Sequence, residues 1–233
     1  MNRNSNSYTV LYAAIMVILV AAVLASVSIA LRPAQKRNFD VEKKQNILAS
    51  VNIESTPANA EQLYSEKIVN EYVVNLKGEI VEGENAFTTD LKVQRSKKPE
   101  ERLLPVFECQ VEGSLKYIFP LYGTGLWGPI WGFVALNDDM NTIYGANFDH
   151  QSETPGLGAE ISTQIFEAPF IGKKIFDESG NLVSITVVKV GQEAPEQHKV
   201  DGISGGTITS KGLEKMLLDD FTSYLEFLKK KKY

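Results

Sequence analysis

The stretch from Lys116 to Phe148, KYIFPLYGTGLWGPIWGFVALNDDMNTIYGANF, decides the fold. It carries three runs rich in β-branched and aromatic residues, Lys116 to Tyr122, Ile130 to Leu136 and Ile143 to Phe148. Such runs suit a pleated, half-buried surface and predict strands. Asn137-Asp138-Asp139-Met140-Asn141 stands between the second and third and predicts a hairpin turn, so the strands are antiparallel. Outward from this centre, Leu182 to Val190 reads as a further strand and Tyr72 to Ile80 as an extended segment. Asn59 to Asn70, opened by Thr56-Pro57 and carrying Leu63, Ile68 and Val69, predicts a short amphipathic helix. Glu160 to Pro169 and Leu213 to Leu228 predict two more, the second with Leu213, Leu217, Phe221, Tyr224 and Leu228 on one face. Ala86 to Pro105 is polar and charged and reads as a loop. The class is α+β, an antiparallel sheet with flanking helices.

The N-terminus follows a different rule. Tyr8 to Leu31 is a 24-residue run without a charged side chain. At about 1.5 Å per residue a helix of that length crosses a hydrocarbon core of roughly 30 Å. The run is too long for a signal-peptide apolar region, and Ser28-Ile29-Ala30 makes a poor cleavage site. The expected organisation is therefore a short tail over 1–7, a transmembrane helix over 8–31, a charged, partly helical stalk or linker over 32–55, and a folded domain over 56–233. Arg3 lies on one side of the span, and Arg32, Lys36, Arg37, Lys43 and Lys44 lie on the other. Taken alone, the positive-inside rule places the domain in the cytoplasm.

Composition removes several function classes. The chain has 233 residues, 43% hydrophobic and 23% charged, which fits a globular protein and excludes wholesale disorder. Lys+Arg 24 against Asp+Glu 29 gives a net charge of −5, so the basic field of a nucleic-acid binder is missing. With Cys109 as the single cysteine and His150 and His198 as the only histidines, neither an internal disulfide nor a His/Cys metal centre is expected. His150 and Glu153 have no third ligand spaced nearby, and no G-x-S-x-G nucleophile turn is present.

Two glycine-rich segments invite a cofactor. Gly123-Thr124-Gly125-Leu126-Trp127-Gly128 matches the G-x-G-x-x-G string of dinucleotide sites. That fingerprint must open a helix, whereas Pro129-Ile130-Trp131-Gly132-Phe133-Val134 continues as a strand, so a glycine-rich turn is expected instead, one that lets backbone and the indoles of Trp127 and Trp131 approach something flat or pack inward. Asp201-Gly202-Ile203-Ser204-Gly205-Gly206-Thr207, followed by Ile208-Thr209-Ser210, precedes the terminal helix. Free amides, hydroxyls and the positive end of a helix dipole suit a phosphate there. Composition alone favours an ordinary Ser/Thr cap after a glycine turn, and it does not separate Thr207 from Thr209.

Three segments, in order, resemble a known pattern: Gly125-Leu126-Trp127-Gly128, Glu153-Thr154-Pro155-Gly156-Leu157-Gly158 and Asp201 to Thr207. With the N-terminal anchor and Lys43-Lys44-Gln45-Asn46-Ile47-Leu48, the chain is identified as a member of the covalent FMN-binding domain family, which includes the C subunits of Na+-translocating NADH:quinone reductases. The resemblance implies a single FMN held by a phosphoester to Thr207, the threonine of an Asp-x-x-Ser-Gly-Ala-Thr motif in which Gly206 replaces the usual alanine. It implies recognition of Asp201 and Ser204 by a flavin transferase. It also implies flavin contacts from Glu153, Thr154, Leu157, Gly158, Trp127, Ser204, Gly205 and Gly206, with Lys189 stabilising negative charge on reduced flavin. An exposed strand lysine accounts for Lys189 equally well. The implied function is electron relay from NADH toward quinone, coupled to sodium export, beside the flavin-bearing B subunit and the iron–sulfur-bearing D and E subunits. The domain is then periplasmic on a bacterial inner membrane, against the count of basic residues. The homologous G subunit of ion-translocating ferredoxin:NAD+ reductases is the alternative within enzymes, and a flavin-free anchored binding module the alternative outside them.

Overall fold

The computed structural model describes residues 6–189 and 191–232, which form two compact units, 1–43 and 44–233. The first unit is one helix. Helix α1 (Asn6–Ala49) runs through Pro33, and the apolar side chains of its first half, Val17 and Leu24 among them, have no protein to bury them. Among the described residues it is the one helix long and apolar enough to cross a membrane.

The second unit starts at Lys44, earlier than the boundary expected at 56. The reason is burial: Ile47, Leu48 and Val51 are wholly enclosed, so the last turns of α1 belong to the domain core and are not a solvated stalk. Lys44 fastens them, pairing with Glu61 at 3.1 Å and lying over the Tyr64 and Phe87 rings. Helix α2 (Ala60–Lys67) then stops short of Asn70 because Ile68 enters strand β1 (Ile68–Val74). The predicted extension to Ile80 is broken by a turn in which the Asn75 side chain accepts from the Lys77 and Glu79 amides.

The segment read as a loop over 86–105 contains helix α3 (Leu91–Ser96), whose Asp90 cap accepts from the Lys92 amide at 2.8 Å. It leads into strand β2 (Leu104–Val111), hidden in the sequence because Glu108 and Pro105 interrupt its apolar run. Strands β3 (Ser114–Thr124), β4 (Pro129–Leu136) and β5 (Ile143–His150) follow at the three runs where strands are expected. The five strands form an antiparallel meander in chain order.

Alternation sorts the sheet into two buried faces. Phe119, Leu121 and Val134 point into one core, and Phe107, Ile118, Phe133 and Ala135 into the other with Ile47 and Val51. Cover on both faces explains why β4 reads as an almost unbroken apolar run.

The helix predicted over Glu160 to Pro169 is instead helix α4 (Gln164–Glu167) flanked by tight 3-10 turns at Gly158–Ser162 and Ala168–Phe170. Ser162, Thr163 and Pro169 favour such local closure over a continuous helix. The strand expected over Leu182 to Val190 shrinks to β6 (Thr186–Val188), which pairs in parallel with β7 (Lys199–Asp201) outside the main sheet. Val190 lies outside the described residues.

Helix α5 (Thr207–Lys232) covers the first face. All five residues expected on its inner stripe are buried, joined by Met216 and Phe227, and Tyr224 stacks edge-on against Phe119 at 4.9 Å. Asp220, also buried, accepts from Arg95 at 2.6 Å and from the Tyr122 amide at 2.8 Å, tying the helix to β3. Near its start the approach is closer still. A Cβ on Gly123 would stand 2.7 Å from the Met216 Cβ, and one on Gly212 would strike the Thr124 carbonyl.

These contacts reverse an ordinary helix rule. Gly→Ala in an exposed helix interior gains about 1 kcal/mol; Gly212→Ala instead loses about 1–3 kcal/mol because α5 must lift from β3, read as a lower denaturant midpoint. A second expectation concerns pH. Glu167 accepts from the Phe148 amide at 2.6 Å, and burial, aided by the Asp149 charge, pushes its carboxyl up to about 7. The folded chain therefore holds a proton that the unfolded chain releases near the ordinary carboxylate value. This contribution to stability is full below that value and is lost as pH rises through about 7. Glu167→Gln is expected to remove that part of the pH dependence, checked by thermal unfolding across roughly pH 4 to 8.

Candidate functional site

The site grows from the N-terminal turn of α5. β7 ends at Asp201, the Gly202 amide donates to the Val188 carbonyl at 2.6 Å, and the chain turns through Gly205 at φ +76°. A Cβ there would be strained by the left-handed backbone and would meet Leu157 Cδ2 at 2.7 Å. The helical ladder begins with the Ser210 amide donating to the Gly206 carbonyl, so the amides of Thr207, Ile208 and Thr209 lie ahead of it without carbonyls inside the helix. The Ser210 hydroxyl turns back to accept from the Ile203 amide at 3.1 Å, fixing the turn's shape.

A cavity of about 330 Å³ opens on this turn, lined among others by Lys189, Ser204, Gly205, Thr207, Ser210 and Lys211. Thr207 and Ser204 are exposed to it. Lys189, just past the end of β6, and Lys211, one helical turn beyond Thr207, both line the cavity, which also meets the positive end of the α5 dipole. Lys211 is steadied by Glu214 at 2.8 Å, whose same oxygen also accepts from the Val187 amide at 2.6 Å. An anion bound here meets donors and positive charge on several sides.

Thr209, two residues further on, is 1% exposed and donates its hydroxyl to Glu153 Oε2 at 2.6 Å. Of the two threonines, Thr207 alone lines the cavity, a distinction composition does not make.

The remaining expected contacts form a neighbouring group. Glu153 is 5% exposed; its Oε1 accepts from the Trp127 amide at 2.8 Å, and its own amide donates to His150 Nδ1 at 3.3 Å. The Gly125–Gly128 segment is the hairpin turn between β3 and β4, closed by the Gly125 amide on the Gly128 carbonyl at 2.8 Å, and no helix follows it. Trp127 is 65% exposed, and the Leu126, Leu157 and Ile208 side chains are exposed as well. Thr154 is exposed, its carbonyl accepting from the Leu157 and Ala159 amides, while Gly158 is buried. Trp131 is half-buried on β4. Of the residues singled out in the sequence, the cavity gathers Lys189, Ser204, Gly205 and Thr207; Asp201, Glu153, Thr154, Leu157, Gly158 and Trp127 are not on its wall. Gly206 is buried, and Ile203 and the Leu157 backbone close in to 3.0 and 3.3 Å of where a Cβ would sit. That close cover leaves glycine the comfortable residue in this chain.

Lys211 and Ser210 are site residues that the motif alone does not indicate. The helical period is the available signal: Lys211 is four residues after Thr207 and shares its face.

Comparison with known proteins agrees with this geometry. The FMN-binding domain model matches residues 125–219, from the Trp127 turn to the middle of α5. The C subunit of the Na+-translocating NADH-quinone reductase from Haemophilus ducreyi is 31% identical over 91% of this chain and 88% of its own length. The same subunit from Pseudomonas aeruginosa is 30% identical over 98% of each. Among solved structures, that subunit from Parabacteroides distasonis superposes with a TM-score of 0.80 at 49% identity, covering 85% of this chain and 96% of the other. NqrC from Shewanella oneidensis gives 0.71 at 25% identity, covering 85% of this chain and 99% of its own. A cavity-facing threonine at the head of α5, within a matched FMN-binding domain and a chain aligned almost end to end, places this protein in the family of C subunits of the Na+-translocating NADH-quinone reductases.

Proposed function

We propose that the chain carries one FMN joined by a phosphoester to Thr207 Oγ1 and relays electrons within a Na+-translocating NADH:quinone reductase. The single observation that supports this most strongly is the contrast between the two threonines. Thr207 is exposed and lines the cavity, whereas Thr209 is buried and spends its hydroxyl on the Glu153 carboxylate. The residues present fit the phosphate end of FMN. The first amides of α5 lie ahead of the helical ladder, Gly205 lets the backbone come close, and Lys189 and Lys211 supply the countercharge that a phosphodiester needs.

FMN exchanges one or two electrons and so can connect single-electron centres with two-electron carriers. The protein's own groups do no bond-breaking in the relay. Thr207 is used once, in maturation, when a flavin transferase reads Asp201 and Ser204, both exposed beside it; thereafter it is a tether. Lys189, on the cavity wall, would supply positive charge toward the bound group. Trp127 and Leu157 offer apolar surface to a flat ring system. With FMN bound, the chain would stand between the iron–sulfur-bearing D and E subunits and the flavin-bearing B subunit on the way to quinone, with sodium export coupled elsewhere in the complex.

Anchoring follows from α1, whose apolar half fits a single pass through a bacterial inner membrane. We assign the domain to the periplasmic side, where a covalent link prevents loss of a cofactor that cannot be replenished from the cytoplasm. Asp40 and Glu42 dilute the basic cluster that argues the other way.

The test is a denaturing gel of the chain produced together with its flavin transferase. A fluorescent band is expected from the wild type and from Thr209→Ser, and none from Thr207→Ala. A band of wild-type intensity in Thr207→Ala contradicts the assignment.

A further inference from the structure

Glu153 is a buried carboxylate that is not among the residues lining the cavity at the head of α5. It is 5% exposed, and both of its oxygens are occupied by neutral donors, Oε1 by the Trp127 amide at 2.8 Å and Oε2 by the Thr209 hydroxyl at 2.6 Å. A carboxylate taken out of water is costly unless its lone pairs are satisfied, so its retention here calls for a structural return. The surroundings are shaped to it. A Cβ on Gly125 would fall 2.5 Å from Oε1, and one on Gly158 would strike both Oε2 and the Thr209 hydroxyl. Two glycines from separate loops thus leave the space this one side chain fills.

Each partner lies on a different element. Trp127 belongs to the turn between β3 and β4, Glu153 to the loop after β5, and Thr209 to the first turn of α5. Near Trp127, the Ser152 hydroxyl adds a second tie by donating to the Trp127 carbonyl at 3.0 Å. The Glu153 loop also carries Leu157, whose side chain packs over Gly205 beside the cavity. One carboxylate therefore ties the Trp127 turn and the head of α5 to its own loop beside the cavity.

We propose that Glu153 is a positioning residue: its carboxylate clips the Trp127 turn, the Glu153–Gly158 loop and the head of α5 together, and thereby holds Thr207 toward the cavity. Each of its oxygens holds one of these segments, so its part in the site is to set where they stand. This deepens the proposed function and rests on it for the flavin readout, but the clip itself is a property of the chain before any cofactor is attached.

The experiment compares wild type, Glu153→Ala, Glu153→Gln and Thr209→Val in the full chain, using two readouts. The first is hydrogen exchange at the Trp127 amide and at the Ser210 amide, which closes the first turn of α5 on the Gly206 carbonyl, in the unflavinylated chain. The second is the rate of flavin incorporation with the transferase. Glu153→Ala is expected to raise exchange at Trp127 about tenfold, the loss of one buried hydrogen bond to a charged acceptor, and to slow incorporation by a similar factor. Glu153→Gln keeps an acceptor for the Trp127 amide and a donor for Thr209 Oγ1, so it is expected to restore both within about threefold. Wild-type exchange and incorporation in Glu153→Ala would overturn the proposal. So would a Glu153→Gln chain as slow as Glu153→Ala with exchange unchanged, since the charge and not the clip would then be what matters. Should Glu153→Ala fail to fold by circular dichroism, Thr209→Val severs one arm alone. Faster exchange at Ser210 with slower incorporation supports the clip, and wild-type values in both overturn it. The exchange arm needs no flavin, so it decides the clip even if the wild type takes up none, the separate result that would sink the proposed function.

Discussion

The constraint on which the rest of the molecule depends is the close contact between α5 and β3. Gly212 on the helix lies against the Thr124 carbonyl, and Gly123 on the strand lies against Met216, at separations no larger residue would permit. Asp220 then pins the next turns through Arg95 and the Tyr122 amide, and the aromatic cluster of Phe119, Phe221, Tyr224 and Phe227 fills the space behind. A helix seated this tightly has little freedom to slide, because packed cores resist gradual deformation. Its first turn is thereby delivered beside the β3–β4 turn, and the loop after β5 closes the gap. The cavity is a consequence of where the sheet lets the helix begin.

Much of this was legible in the residues. The three central strands, their antiparallel order and the inner stripe of α5 follow from periodicity, because burial on a sheet or helix face imposes a period that local sequence must obey. What stayed hidden was set by distance in space. β2 was obscured by Glu108, which is buried yet satisfied by Asn70 and Tyr72, partners that lie far away in the chain. The domain's edge at Lys44 depends on Ile47 and Val51 reaching the second face of the sheet, and a charged stretch around them gave no hint of that core. The helix expected over Glu160 to Pro169 broke into short turns because Ser, Thr and Pro satisfy the backbone locally.

The site shows the same division. Gly205, Ser204 and Thr207 were identifiable from a motif, and Lys189 joined them only through family resemblance; the cavity gathers all four. Glu153 was expected to approach the flavin; what the fold adds is that its oxygens accept from the Trp127 amide and the Thr209 hydroxyl. A carboxylate in a glycine-rich loop looks the same on paper whether it faces a ligand or a backbone amide. The difference between the two threonines was likewise closed to composition and lies in their burial: helical periodicity turns residues two apart to nearly opposite sides. Membership of this reductase family gives the arrangement its context, an FMN-binding domain within a multisubunit enzyme.

The central claim is that one hydroxyl, made available by the seating of α5, holds the flavin. Its most direct test is peptide-level mass spectrometry of the chain purified from the membranes of its native host. The account predicts a flavin phosphate adduct on the α5 N-terminal peptide, with fragment ions placing it on Thr207 and an unmodified Thr209. That peptide recovered bare, or carrying the adduct at Thr209, would contradict it.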